Sequence, residues 1–143
     1  MKNMGNRHLY RGKQAENGEW VEGFYFCMTH PDGRHTHHFI IPLGADLSLG
    51  TPVEKIQVEV DPDTICQCTG LKDKNGNLIW ENDIANCMDA ECCGYISWNE
   101  SEAGFYFDVL LEDGRFEEEH IYDYQDCMEV IGNNFDNPEL LEV

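Results

Sequence analysis

Six dipeptides, Asn17-Gly18, Asp32-Gly33, Asp61-Pro62, Asn75-Gly76, Asp113-Gly114 and Asn137-Pro138, cut this chain into apolar stretches too brief for long helices. Gly supplies positive φ, Pro fixes φ, and Asn and Asp hydrogen-bond their own backbone, so each pair turns the chain. Turns at this spacing predict a mainly β fold. The aromatic-rich segment from Trp20 to Met28 follows Gly18 and reads as a strand leaving a tight turn, with Phe39 to Leu43 able to pair with it across the histidines at 35–38. Asn75-Gly76 predicts a type I′ hairpin, with positive φ at both central residues and Leu78, Ile79 and Trp80 opening the returning strand. Phe105, Phe107, Val109 and Leu111 alternate with Tyr106, Asp108 and Leu110, and Asp113-Gly114 turns that strand toward Phe116. At the end, Asn137 as N-cap, Pro138 at the first position and Glu139 near the positive end of the dipole predict a short helical turn with Leu140 and Leu141 packing inward.

A chain of 143 residues supplies one ordinary core, so a single domain is expected, with a β lobe over 1–66 and an acidic lobe over 67–143. The charge is unevenly placed. Residues 1–75 hold 10 acids and 8 bases, whereas residues 76–143 hold 18 acids and one base, Arg115, which divides the net −19 into −2 and −17. An acidic body repels phosphate backbones and anionic bilayers, so direct nucleic-acid or membrane binding is not expected. The opening residues carry no apolar run, and Phe39 to Ala45 is too short to span a bilayer. A cytoplasmic setting in a bacterial host is expected, with the odd set of seven cysteines kept as reduced thiols.

QCTGLKDKNGNLIWENDI at 67–84 resembles the signature of the YopX family of phage and prophage proteins. YRGK at 10–13, GEWVEGF at 18–24 and EVIGNNFDNPELL at 129–141 agree with it in order, so the resemblance spans nearly the whole chain. It implies coiled antiparallel β-sheets containing an SH3-like barrel, with the acidic lobe supplying much of that barrel, and a phage or prophage origin; it names no reaction. Cys68 stands where the family usually has an aromatic, and Asn82 where Gly usually precedes Asp83. A thiol in an aromatic slot fills core volume, and Asn tolerates the left-handed region that Gly would take.

The chemistry-bearing residues are numerous but poorly spaced for a site. Cys66 with Cys68, and Cys92 with Cys93, are closer together than the pairs that clasp zinc, although Cys66 and Cys68, or His35 and His37, would share a strand face. Asp73 to Gly76 does not make a calcium loop, because that register puts Leu71 and Asn82 where carboxylates belong. No nucleophile elbow, phosphate-binding glycine loop or Cys/His signature is present, so no catalytic, cofactor or metal residues are assigned and no enzyme activity is expected.

What remains is surface. Glu117 and Glu119, two apart on a strand, present carboxylates on one face with Glu118 between them, and Trp98, beside the polar loop 99–104, is the aromatic expected to be partly exposed, with Phe105 near it. Trp98, Phe105, Glu117, Glu118 and Glu119 form the candidate interaction surface. The function expected is a non-enzymatic protein-interaction or self-associating module whose partner is neutral or basic, such as a basic host protein. Two alternatives stand beside it: an acidic nucleic-acid mimic that occupies a host DNA-binding protein, and a structural or regulatory zinc-binding protein.

Overall fold

The computed structural model describes residues 5–142. They fall into two compact units, His8–Gln67 and residues 68–142 with 5–7. Regular structure is strand throughout, and helix among the described residues is confined to 3-10 turns.

In the first unit, β1 (Tyr10–Lys13), β2 (Trp20–Thr29), β3 (Thr36–Pro42) and the short β4 (Val58–Glu59) pair antiparallel in the order β4-β3-β2-β1. The expected pairing of the 20–28 and 39–43 segments holds, and His37 and His38 lie inside β3. Leu9, Ile40, Val60 and Cys66 fill the core. The aromatic strand β2 is not mainly buried: Phe24 and Met28 lie open to solvent. A Cβ at Gly23 would collide with the Ile41 carbonyl on β3, so the two strands approach closely where β2 has no side chain. Trp20 is half-buried beneath the Arg11 guanidinium, 4.8 Å from its ring, and the Lys13 ammonium, 5.4 Å away.

β5 (Cys66–Lys72) begins in the first unit, where it pairs with β1, and ends in the second, where it pairs with β6 (Leu78–Trp80). The second unit continues with β7 (Asp83–Cys87), β8 (Cys92–Asn99), β9 (Gly104–Leu110), β10 (Phe116–His120) and β11 (Met128–Asn133), a five-stranded antiparallel sheet in the order β10-β9-β8-β7-β11. Its core is Ile79, Ala85, Cys87, Ile96, Phe107, Ile121 and Met128. The edge strands β10 and β11 do not pair with each other, so the sheet is not closed. β11 carries a bulge between Val130 and Gly132 that leaves Ile131 out of the ladder.

Two local expectations are corrected. The hairpin at Asn75-Gly76 forms, but only Gly76 has positive φ, at +83°. The Asp73 carboxylate accepts the Asn75 and Asn77 amides, both at 2.9 Å, and Gly76 N–H donates to the Asp73 carbonyl, which selects a turn beginning at Asp73 with Gly76 as its left-handed exit. Pro138–Leu141 forms the expected helical turn, yet Asn137 does not cap it. Its side chain instead accepts the Asn133 amide at 3.2 Å in the space left by Gly132, and Leu140 faces solvent.

Candidate interaction surface

The segments that carry the family resemblance meet through backbone hydrogen bonds. YRGK and GEWVEGF are the paired strands β1 and β2. Asp73, almost fully buried, extends its second carboxylate oxygen to the Val130 amide of β11 at 3.0 Å. Its pKa is set by opposed effects: burial, the largest, pushes it up, while the Val130, Asn77 and Asn75 amides together hold it below the ordinary carboxylate value. Asn82 takes φ +69°, as the substitution for Gly requires, and its carbonyl and side-chain oxygen accept the Asn134 amide at 2.9 Å and the Asn134 side chain at 3.2 Å. Asp83 is buried and accepts the Trp80 amide at 2.7 Å. Cys68 is fully buried, as expected of a thiol filling an aromatic slot. Asp73, Asn82 and Asp83 are therefore occupied in closing turns and joining strands.

Of the candidate surface residues, Trp98 and Phe105 are cross-strand partners on β8 and β9, with ring centroids 4.9 Å apart at 66°. Phe105 is half-buried and packs against the core, while Trp98 is 37% exposed. Glu117 and Glu119 pair with Val109 and Phe107, so strand alternation puts them on the Trp98 and Phe105 side of the sheet. Glu118 pairs with Asp108 and projects from the opposite face. The three glutamates thus do not form one row.

That opposite face holds residues that the sequence did not single out as a group. Tyr95 packs edge-on against Phe116 at 5.1 Å, Tyr106 lies 5.2 Å from His120, and His120 stacks on Tyr122 at 5.5 Å. Phe116 is 43% exposed and Tyr122 67%. Carboxylates are interleaved: Asp108 accepts the Ser97 hydroxyl at 2.9 Å and Glu118 accepts the Asn99 side chain at 2.8 Å. Burial, then the Asp108 charge and hydrogen bond, then the Glu118 charge, raise the pKa of Tyr95, so its hydroxyl stays a neutral donor. The period-2 signal that finds this face is Phe116, Glu118, His120 read together with Tyr106 and Asp108.

The first unit has a cavity of about 260 Å³ bordered by Met28, His30, His37, Phe39, Val53 and Glu54. His37 shares Nδ1 with Glu59 at 2.8 Å, while His38, on the other face of β3, meets the Tyr25 hydroxyl at 2.6 Å. Alternation therefore divides the histidine run, and among the described residues no three His, Cys, Asp or Glu side chains are grouped to hold a metal ion. No helix of the described residues is long and apolar enough to cross a membrane.

No curated protein matches this chain. Among solved structures it is similar to protein EF1440 from Enterococcus faecalis, with a TM-score of 0.51 and 28% sequence identity over 93% of this chain and 96% of that one. The family model described as YopX protein matches residues 9–142, taking in the Asp73 turn, the Asn82–Asn134 junction and both sheets, and the chain belongs to the YopX family.

Proposed function

We propose that the protein is a non-enzymatic interaction module of phage or prophage origin whose β8-β9-β10 sheet binds a basic segment of a host protein. The observation that carries this reading is one face of these three strands, where exposed Phe116 stands with Tyr95 and Tyr106 among Asp108 and Glu118, and exposed Tyr122 stacks on His120 at its end. Aromatic anchors supply contact area at low entropic cost, and tyrosine faces and carboxylates both attract Lys and Arg side chains. The buried acids of the signature support the same view, since Asp73 and Asp83 are committed to backbone amides. A net charge of −19 opposes self-association through this surface and favours a partner of opposite sign. In this reading the five-stranded sheet is the portion that corresponds to the SH3-like barrel of the family, and the setting is the bacterial cytoplasm.

The test is capture from a bacterial lysate at low and high salt, followed by intact-mass analysis of the assembly, with Phe116→Ala, Tyr122→Ala and Glu118→Gln beside the wild type. Phe116→Ala or Tyr122→Ala should weaken the captured complex roughly 30-fold, as for an interface anchor worth about 2 kcal/mol, with no change in charge. Glu118→Gln should mainly reduce the salt dependence. A partner held equally by all the variants would show that overall acidity alone, and not this surface, does the binding.

A further inference from the structure

Three of the cysteines gather at one end of β7. Cys87 closes that strand and is fully buried; Cys92 opens β8 as its cross-strand partner; Cys127 immediately precedes Met128, which pairs with Cys87 on β11. The sequence separates Cys87 from Cys127 by 40 positions, yet their sulfurs lie 2.6 Å apart. Both thiols also point at one acceptor, the Tyr124 carbonyl oxygen, at 3.4 Å from Cys87 and 3.3 Å from Cys127. The Cys127 amide donates to the same carbonyl at 3.1 Å, so backbone holds the segment that presents this sulfur. Two sulfurs positioned by a strand ladder and by a hydrogen-bonded turn meet the main geometric demand on a disulfide without large backbone movement.

We propose that Cys87 and Cys127 are a redox-active pair that closes reversibly to a disulfide by exchange with a small-molecule disulfide of the glutathione class. Cys127, half-buried, is the sulfur a small molecule can reach. As thiolate it attacks one sulfur of the small disulfide, forming a mixed disulfide and releasing one small thiolate. The Cys87 sulfur, deprotonated, then attacks the Cys127 sulfur and releases the second. The two protein thiols give up two protons and two electrons, and the small disulfide is reduced to two thiols. Burial, followed by the hydrogen bond and repulsion from Cys127, raises the pKa of Cys87 and disfavours its thiolate beside the more accessible Cys127. That ordering makes Cys127 the attacking thiol and Cys87 the resolving one. The bond ties the end of β7 to the 121–127 segment, whose Tyr124 ring packs 5.2 Å from Phe107 in the core, so oxidation fastens one end of the five-stranded sheet. Disulfides of this transient, sensing kind are the ones found in reducing compartments.

The experiment incubates the full chain with oxidised glutathione, alkylates the remaining thiols under acid quench, and maps linked peptides by mass spectrometry without reduction. The expected result is a Cys87–Cys127 linkage, reversed by dithiothreitol, with a thermal midpoint roughly 10 °C higher for a loop of this length. Cys127→Ser should abolish both linkage and shift, while Cys93→Ser should keep both. A Cys87–Cys92 linkage, a glutathione adduct that persists on Cys127, or complete alkylation of all seven thiols would overturn the proposal; each is read on the wild-type chain and does not depend on a variant folding.

Discussion

Replacing Asp73 with Ala removes a carboxylate that serves three backbone amides from a nearly closed position. The amides are not equivalent. The Val130 N–H belongs to strand β11, and losing its acceptor leaves a partly buried donor unsatisfied, at about 1–2 kcal/mol. Asn75 and Asn77 lie in an open turn where water can replace the carboxylate, so each loss resembles removal of a helix cap, about 0.5–1 kcal/mol. Together these give about 3 kcal/mol for Asp73→Ala at pH 7. Asp73→Asn should cost about 1–2 kcal/mol, because either orientation of the amide turns its NH2 group toward a backbone donor. The effect is also linked to pH. Since the folded carboxyl titrates below its ordinary value, its stabilisation is present above the unfolded pKa, about 3.9, and is lost as pH falls through the folded one. Guanidinium unfolding at pH 7 and pH 3 should therefore show a gap between wild type and Asp73→Ala that narrows in acid, with unchanged m. A gap under about 0.5 kcal/mol at pH 7, or one equal at both pH values, would refute the assignment.

Substitutions at two further positions probe places where backbone conformation or close approach constrains the residue. Asn82→Gly should stay within about 1 kcal/mol of wild type, because relief of the left-handed conformation offsets the lost Asn134 hydrogen bond, whereas Asn82→Val should cost about 2–3 kcal/mol, both read from denaturant midpoints. Gly94→Ala sets a Cβ against the Asp108 carbonyl of β9 and 2.9 Å from the Phe107 ring, a backbone collision that no rotamer relieves, so a loss of about 3 kcal/mol or failure to fold is expected; an unchanged thermal midpoint would show that β8 and β9 are not so close.

Turn chemistry was the most legible part of this fold. Gly18, Gly33, Gly76 and Gly114 all adopt positive φ where the turn dipeptides predicted reversals. The turn type at Asn75-Gly76 was not legible, because it depends on Asp73 finding a third amide on β11, 57 positions away. Burial of the aromatics was only half legible: Trp80 is core, but Tyr95 and Phe105 are half-buried and Phe24 is open, since a strand's pattern does not tell whether a second layer covers each face. The exposure of Trp98 could be read from the polar loop after it. The face of Tyr95, Tyr106 and Phe116 could not, as it exists only once the register of three strands is fixed. The Cys87–Cys127 contact joins residues that share no local signal, whereas the adjacent pairs at 66/68 and 92/93 drew notice only by proximity in sequence.

The acids of β10 have a structural task that must be separated from recognition. As an edge strand of an open sheet, β10 exposes unpaired backbone groups, and Glu117, Glu118 and Glu119 blunt that edge against pairing with another chain. The opposite edge is protected differently, by the bulge at Ile131 and the Asn133–Asn137 turn. Edge protection needs charge alone, and solubility needs even less. Neither explains why Phe116 opens the same strand with 43% of its surface in water, or why Tyr122 stands exposed against His120 at its other end. Exposed rings work against solubility and invite the association that the glutamates oppose. Their coexistence with carboxylates on one face is the arrangement the proposed interaction would use, in which charge rejects a second copy while rings and carboxylates together suit a partner that brings Lys or Arg.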